Sequence, residues 1–298
     1  QLRCRPRRRG MSLQGDIHKV LDQLSNNECD ELEIDDSWIE DAGEAFKDAL
    51  RRQFTRREDK FRLRMSNIGR SLCQLQMGKS GAKQERKDYN FIMRMLHGDA
   101  VECIMDVILK IAKANITGSK SKVELELDGT TVKGEDDVQI DNKIYDIKTC
   151  SPFAFDRKWK LGLEALKAND DFGYVGQLVG YAEAQKKKTG GWIVVCKSTG
   201  QVLVVDANFS KQEKTTVLMD MQMKATALKE DWKFERCFEP VDDFFNKKFT
   251  GSKKLPMSCN WCDFKQTCWP KAKLLPQPKS KAKEPKMNWY VQYEGVEF

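Results

Sequence analysis

Two short stretches of the chain carry the residues that decide its fold, namely GEDDVQI at residues 134–140 and YDIKT at residues 145–149. Within these stretches, residues 138–140 and 145–148 alternate apolar and polar side chains in the manner of a β-strand. Because alternate strand residues point to the same face, Asp146 and Lys148 are predicted to share a face, while Ile147 points into the core. The sequence therefore predicts a carboxylate and an amine side by side, with a second carboxylate on the neighbouring strand.

This combination of side chains suits phosphodiester cleavage. Carboxylates bind Mg²⁺, which polarises a phosphate and lowers the pKa of a bound water molecule. A lysine orients that water or stabilises charge in the transition state. The alternative is a surface hairpin of alternating charge, since Asp-x-Lys is a common pattern. Of the adjacent Asp136 and Asp137, we favour Asp137 as the ligand, because alternation groups it with Gln139 and opposite Val138 and Ile140.

The elements predicted around these stretches indicate an α/β fold. Apolar residues at helical spacing predict helices over residues 12–25, 37–57, 88–114, 174–188 and 210–230. Alternation and turn signals predict strands over residues 123–127, 132–140, 143–149, 192–196 and 201–206. The last two strands read as a hairpin, and Thr117–Lys120 reads as a break after the long helix. This order favours one mixed β-sheet flanked by helices.

The two stretches resemble the motif of the RecB-like branch of the PD-(D/E)xK nucleases. In that family a strand with Gly-x-x-Asp precedes a strand with Asp/Glu-x-Lys, here Gly134 to Asp137 and then Asp146 to Lys148. An upstream helix carries Gly-x-x-x-Glu/His and a downstream helix carries Gln-x-x-x-Tyr. The matching residues here are Gly98 and Glu102 in the first helix and Gln177 and Tyr181 in the second. Each element alone is weak, whereas four of them in order on the expected secondary structures are specific.

The resemblance covers about residues 61–270 and implies a restriction-endonuclease-like core. It implies that Glu102, Asp137 and Asp146 hold one or two Mg²⁺ or Mn²⁺ ions, with the Ile147 carbonyl as a further ligand. It also implies that Lys148 positions the attacking water, and that Gln177 and Tyr181 guide a DNA strand. The expected activity is exonuclease cleavage of DNA, mainly at single-stranded ends, in recombination, repair or phage DNA metabolism. Binding of DNA without cleavage is the first alternative.

The chain holds 10 cysteines, of which Cys259, Cys262 and Cys268 form a C-x2-C-x5-C cluster. Three thiolates on a short loop leave a metal site one ligand short. Zinc sites usually show a second cysteine pair or a nearby histidine, and His18 and His97 both lie far away in sequence. A [4Fe–4S] cluster takes four thiolates, one of which can be distant. A zinc-stabilised interaction protein remains the second alternative.

The chain is also similar to the iron–sulfur members of that nuclease family, such as the CRISPR-associated RecB-like exonucleases. These place one cysteine before the nuclease motifs, which implies Cys73 as the fourth ligand of a [4Fe–4S] cluster. Such a cluster would clamp the two ends of the nuclease core and be structural. The remaining cysteines outside the first ten residues are interpreted as core residues, namely Cys29, Cys103, Cys150, Cys196 and Cys237.

The distribution of charge sets the predicted boundaries. Residues 1–60 read as an N-terminal helical, charged region, residues 61–270 as the nuclease domain, and residues 271–298 as a flexible basic tail rich in Pro and Lys. Five arginines precede Met11, either as translated upstream sequence or as a basic arm. The net charge of +7 is compatible with DNA as partner. No apolar run spans a bilayer, so we expect a cytoplasmic protein of a bacterial or phage-infected cell, with a homo-oligomer or a recombination protein as possible further partner.

Overall fold

The structure is a computed structural model that describes residues 12–55 and 60–295. It divides into two compact units. The first comprises Gln1–Asp59, Leu63–Gly69 and Lys87–Ala225, and the second comprises Lys60–Arg62, Arg70–Arg86 and Thr226–Phe298. This division differs from the boundaries predicted at residues 60 and 270, because residues 60–62 and 70–86 group with the chain after residue 225. The two interpretations of residues 1–10 concern a segment outside the described residues.

The first unit holds seven strands and most of the helices. Its strands are β1 (Ile116–Ser119), β2 (Lys122–Leu127), β3 (Thr130–Glu135), β4 (Val138–Ile140), β5 (Lys143–Cys150), β6 (Lys188–Cys196) and β7 (Val202–Asp206). Across the described chain the helices are α1 (Leu13–Ser25), α2 (Asp36–Phe54), α3 (Met65–Ile68), α4 (Leu72–Lys79), α5 (Phe91–Ile111), α6 (Pro152–Arg157), α7 (Gly162–Ala168), α8 (Tyr174–Ala184), α9 (Lys211–Lys229), α10 (Met257–Asn260) and α11 (Lys265–Cys268). None of the helices in the described segments is long and apolar enough to cross a membrane.

A mixed five-stranded sheet in the order β1-β4-β5-β6-β7 forms the centre of the first unit. Strand β5 runs parallel to β6 and antiparallel to β4. The sheet is buried on both faces. Ile144 and Trp192 pack in one hydrophobic cluster with α8, while Ile147 and Ile193 pack in another with α1 and α5. The predicted mixed sheet with flanking helices is confirmed, as is the inward direction of Ile147.

Two local differences from the sequence prediction lie beside the motif. The predicted strand over residues 132–140 is two strands, since β3 pairs with β2 in a separate two-stranded sheet while β4 joins the central sheet. The chain therefore changes sheet at Asp136 and Asp137. The predicted break at Thr117–Lys120 largely coincides with β1, an edge strand paired to β4. Both errors come from short strands that carry few apolar residues.

The second unit contains a four-stranded antiparallel sheet in the order β10-β11-β9-β8. Its strands are β8 (Val241–Phe245), β9 (Lys248–Lys254), β10 (Lys273–Pro276) and β11 (Met287–Gln292). The interpretation of residues 271–298 as a flexible tail is wrong, because β10 and β11 lie within it. Tyr290 is buried and donates a hydrogen bond to the buried Asp243 at 3.2 Å. Alternate residues of β11 are thus buried, and this packing holds the segment in a strand despite its high content of Lys and Pro.

Gly191 provides a test of the central sheet. Its φ of +154° lies in a region that L side chains rarely adopt, and a Cβ atom there would collide with the Val205 carbonyl oxygen of β7. We expect Gly191→Ala to lower the free energy of unfolding by roughly 2–4 kcal/mol. The matched control is Gly43→Ala in α2, where no atom lies within 4 Å of the new Cβ. That change removes a helix-weakening glycine and should raise the free energy by up to about 1 kcal/mol. Denaturant titration measures both, and equal effects would contradict the packing described.

Candidate active site

Asp146 and Lys148 form a buried ion pair on β5. Asp146 is 2% exposed, and Lys148 Nζ donates a hydrogen bond to its Oδ1 atom at 2.9 Å. The Oδ2 atom lies 2.7 Å from the same ammonium but accepts no hydrogen bond from any described residue. Burial raises the pKa of Asp146 to about 7, with the charge of Asp137 adding to it and Lys148 opposing it. For Lys148, burial opposes the charged form, but the carboxylates of Asp146 and Asp137 outweigh it and raise the pKa.

Glu102 and Asp137 bring two more carboxylates to this pair. Glu102 lies on α5, and burial followed by the charge of Asp137 raises its pKa. Asp137 precedes β4, and its Oδ2 atom accepts the Ile147 backbone N–H at 2.7 Å, which ties the carboxylate to β5. The charges of Asp137 and Glu102 both act on Asp146. Three acids predicted from separate motifs are therefore brought together in the first unit.

Lys120 is a member of this cluster that the sequence did not reveal. Its Nζ atom lies 2.7 Å from Glu102 Oε2 and 3.5 Å from Asp137 Oδ1. It follows β1 with a left-handed φ of +49°, and its backbone N–H donates to the Asp137 carbonyl at 3.3 Å. The sequence gives little indication of this turn, because lysine seldom adopts the left-handed backbone conformation. The cluster thus contains three carboxylates and two ammonium groups.

The two neighbouring aspartates have different surroundings. Asp136 is fully buried and accepts hydrogen bonds from the Ser121 N–H at 2.8 Å and from the side-chain amides of Gln139 at 2.6 Å and Gln185 at 2.7 Å. Asp137 lies with Glu102 and Asp146. Asp137, the ligand favoured from the sequence, is therefore the aspartate near the other acids. The reason given for that choice, that strand alternation groups Asp137 with Gln139, is wrong. Gln139 contacts Asp136, because the change of sheet at this point breaks the strand alternation.

Gln177 and Tyr181 lie on α8, where a hydrogen bond joins their side chains. Burial raises the pKa of Tyr181 to about 12, and the charges of Asp146 and Asp137 contribute. The Tyr181 ring is buried in the core, so we do not expect it to contact a DNA strand directly. Gln177 is half-buried. A Cβ at Gly134 would lie 2.7 Å from the Tyr181 ring and 2.6 Å from Met65. The motif glycine is thus needed for the close approach of Tyr181.

A cavity of about 410 Å³ adjoins the carboxylates, a volume within the range of about 300–1,000 Å³ typical of ligand sites. Glu102, Asp137 and Lys120 line it, and α2 supplies one wall. Cys103 also lines this cavity and is half-buried, so its interpretation as a core cysteine is wrong.

The donor set in the first unit fits a hard divalent cation. Carboxylate oxygens are the ligands that Mg²⁺ and Mn²⁺ prefer, and the Asp146 Oδ2 atom is a buried acceptor without a hydrogen bond. Within residues 12–55 and 60–295, no three His, Cys, Asp or Glu side chains are arranged to hold a metal ion. In the first unit, Lys120 and Lys148 lie among the acids and balance their charge instead.

The four cysteines expected to act together all lie in the second unit. Cys73 is on α4, Cys259 on α10 and Cys268 on α11, with Cys262 between the last two helices. Burial raises the pKa of Cys259 to about 12, and the charges of Cys262, Cys73 and Cys268 add to it. Burial likewise raises the pKa of Cys262 to about 11, with Cys73 and Cys268 contributing. These thiols are therefore within electrostatic reach of one another.

Hydrogen bonds hold the cysteine loop in place. The Arg236 guanidinium donates to the Cys268 carbonyl at 2.7 Å and stacks 4.0 Å above the Trp269 ring. The Glu85 N–H donates to the Asp263 carbonyl at 2.8 Å, and Thr267 donates to the Lys83 carbonyl at 2.8 Å. Segments far apart in sequence thereby fix the loop within the second unit.

The other cysteines divide into two groups. Cys150 and Cys196 are buried, as predicted, whereas Cys29 is half-buried and Cys237 is exposed, so the core interpretation is wrong for these two. Cys237 Sγ accepts the Cys73 N–H at 3.1 Å. A hydrogen bond with Cys237 is the largest cause that lowers the pKa of Cys73 to about 6. Cys237 belongs to no motif, so only the structure reveals that it adjoins Cys73.

Comparison with known proteins adds little to this description. No protein-family model matches the chain, and no curated protein matches it. Among solved structures, a chain titled "Crystal structure of SSO0001" shares 14% sequence identity. The match covers 74% of this chain and 91% of that chain, with a TM-score of 0.41.

Matched amide substitutions test the two aspartates. Asp136→Asn places an amino group among three hydrogen-bond donors in the core, so we expect the free energy of unfolding to fall by about 2 kcal/mol. Asp137→Asn keeps an acceptor for the Ile147 N–H and removes a charge that repels Glu102 and Asp146. We expect a change within about 1 kcal/mol. Denaturant titration in metal-free buffer measures the free energy of unfolding of both variants. A larger loss in Asp137→Asn than in Asp136→Asn would contradict the assignment of Asp136 to the core and Asp137 to the acidic cluster.

Proposed function

We propose that this chain is a metal-dependent deoxyribonuclease of the RecB-like PD-(D/E)xK type with a restriction-endonuclease-like core. The observation that supports the proposal most is the meeting of Glu102, Asp137 and Asp146 beside Lys148. These residues come from three separate segments of the first unit, namely α5, the turn before β4, and β5. A surface hairpin of alternating charge would leave them exposed, whereas the side chains of Asp146 and Lys148 are only 3% and 19% exposed.

The carboxylates of Glu102, Asp137 and Asp146, with the Ile147 carbonyl, would hold one or two Mg²⁺ or Mn²⁺ ions. When bound, such an ion supplies charge stabilisation to the phosphate and lowers the pKa of water. Lys148 is held by Asp146 at 2.7 Å, so its ammonium has a fixed place from which to orient the attacking water and offset charge on the phosphate. Asp137 fixes the carboxylate set to β5 through the Ile147 N–H.

In this proposal, Tyr181 and Gln177 on α8 have different roles. Tyr181 packs against Gly134 and positions the strand segment that precedes Asp137. Gln177 is half-buried and bonded to Tyr181, so it is the member of the pair able to touch a DNA strand. The family resemblance favours DNA, single-stranded at its ends, as the substrate, with exonuclease action in recombination, repair or phage DNA metabolism.

We further propose a structural [4Fe–4S] cluster on Cys73, Cys259, Cys262 and Cys268. Each thiolate of such a cluster binds a different iron, so the four sulfurs surround a larger volume than one ion does. Tetrahedral zinc needs its thiolates about 2.3 Å from one centre. The thiols of Cys73, Cys259, Cys262 and Cys268 interact electrostatically. The C-x2-C-x5-C loop has no second cysteine pair and no histidine close to it in sequence, and this favours the cluster over zinc.

Cleavage of end-labelled DNA by anaerobically purified protein tests the catalytic proposal. With Mn²⁺ or Mg²⁺, we expect linear single strands to be degraded from their ends and circular single strands to be spared. Asp146→Ala, Lys148→Ala and Asp137→Ala should each lower the rate by roughly a thousandfold, because each removes transition-state stabilisation. Glu124→Ala is the control, since Glu124 pairs with Lys133 on the exposed face of β2. Full activity in Asp146→Ala would exclude this site, and binding without cleavage by the unaltered protein would identify a DNA-binding protein instead.

Iron and sulfide content tests the cluster. We expect Cys73→Ser to give colourless protein without iron, because three thiolates leave one corner of the cluster open to oxidation. Cys237→Ser is the matched control, since Cys237 adjoins Cys73 but lies outside the proposed ligand set, and it should keep its iron. Cys103→Ser, in the first unit, should keep it as well. Loss of iron in Cys237→Ser alone would show that Cys237 is the fourth ligand, and zinc in place of iron would overturn the cluster.

A further inference from the structure

Lys120 occupies the space between two of the acids that the proposed function assigns to metal binding. Its ammonium lies 2.7 Å from Glu102 Oε2 and 3.5 Å from Asp137 Oδ1. Its backbone is held in place by the left-handed turn after β1 and by the hydrogen bond to the Asp137 carbonyl. The local fold around Lys120 therefore places the ammonium group between Glu102 and Asp137.

The two lysines of the cluster differ in how freely they can move. The Lys148 side chain is 19% exposed and pairs with a carboxylate that is itself almost fully buried. The Lys120 side chain is 50% exposed and lines the cavity of about 410 Å³. Lys120 therefore has an open path from the acids into the cavity.

We infer that Lys120 is a built-in counter-ion that occupies the divalent-metal position and sets the metal concentration at which the site fills. This inference rests on the proposed function. A cation bound by the Glu102 and Asp137 oxygens and an ammonium group 2.7 Å from one of them repel each other and compete for the same lone pairs. Metal binding therefore displaces the Lys120 ammonium into the cavity.

Two consequences follow from this competition. Without metal, Lys120 lowers the repulsion among Glu102, Asp137 and Asp146, so the empty site is more stable with it than without it. With metal, the same contact must be broken, so Lys120 weakens metal affinity. A residue that only bound DNA would have no effect on metal affinity measured in the absence of DNA.

Isothermal titration calorimetry with Mn²⁺, on the full chain without DNA, tests the inference. Lys120→Met keeps the aliphatic stem and removes the charge, and we expect its dissociation constant for Mn²⁺ to fall by roughly five- to tenfold. Its melting temperature should fall in metal-free buffer and recover more with Mn²⁺ than that of the unaltered protein. Lys120→Arg keeps the charge and should stay near the unaltered affinity. If Lys120→Met loses its circular dichroism spectrum, Lys120→Gln replaces it.

Lys113→Met is the matched control. Lys113 follows α5 in the first unit. Like Lys120, it has a left-handed φ, of +53°, and pairs with a glutamate, Glu33, at 3.1 Å. That pair is exposed on both sides, so its loss should leave Mn²⁺ affinity unchanged.

The outcomes separate this inference from the proposed function. An unchanged or weaker Mn²⁺ affinity in Lys120→Met, with clear binding by the unaltered protein, overturns the inference alone. Absence of Mn²⁺ binding in both proteins overturns both. Tighter binding in Lys120→Met that is abolished by Asp146→Ala supports both, because it places the ion among the proposed ligands.

Discussion

The buried pairing of Asp146 with Lys148 is the interaction on which the first unit depends. A carboxylate at 2% exposure carries a large desolvation cost, which here raises its pKa to about 7. Strand β5 can carry this pair only because its neighbours are strongly apolar. Ile144 and Ile147 are buried on opposite faces, and Trp192 on the adjacent strand is fully buried. The surrounding core thus holds the polar pair in one geometry.

That constraint extends from β5 to the helix above it. Tyr181 packs in the hydrophobic cluster that contains Ile144 and Trp192, and its ring touches the place where a Cβ of Gly134 would lie. Packing against Tyr181 of α8 therefore limits residue 134 to glycine, three residues before Asp137. A larger residue at Gly134 would push β3 away from Tyr181 and move the turn that carries Asp137. Residues that look like separate motif elements in sequence are mechanically linked in the fold.

Much of this arrangement could be predicted, and the failures have identifiable causes. The helices α5 and α8 and the strands β5, β6 and β7 have clear apolar periodicity, so their existence and the shared face of Asp146 and Lys148 followed from the sequence. The split between β3 and β4 did not, because the alternation of residues 132–140 gives no sign that the chain changes sheet at Asp136. Composition misled the interpretation of residues 271–298, where the strand signal of β11 is confined to six residues, Met287–Gln292.

Lys120 and Cys237 show a different limit of sequence analysis. Neither belongs to a spaced motif, and each reaches its partner through tertiary contacts, Lys120 through the turn after β1 and Cys237 through the Cys73 N–H. Such residues are visible only once the fold is known. Lys120 brings a positive charge to Glu102 and Asp137, and Cys237 brings an ionisable thiol to Cys73. Each therefore changes the electrostatics of a site whose main residues the motifs had already indicated.

The two candidate sites also differ in donor chemistry. The first unit gathers carboxylate oxygens, which favour hard cations, and the second gathers thiols, which favour iron–sulfur clusters or zinc. Because soft thiolates bind Mg²⁺ poorly and carboxylates alone do not assemble an iron–sulfur cluster, the two donor sets favour different metals. Each donor type lies in its own compact unit. This division of donors is consistent with the proposal of one reactive and one structural site.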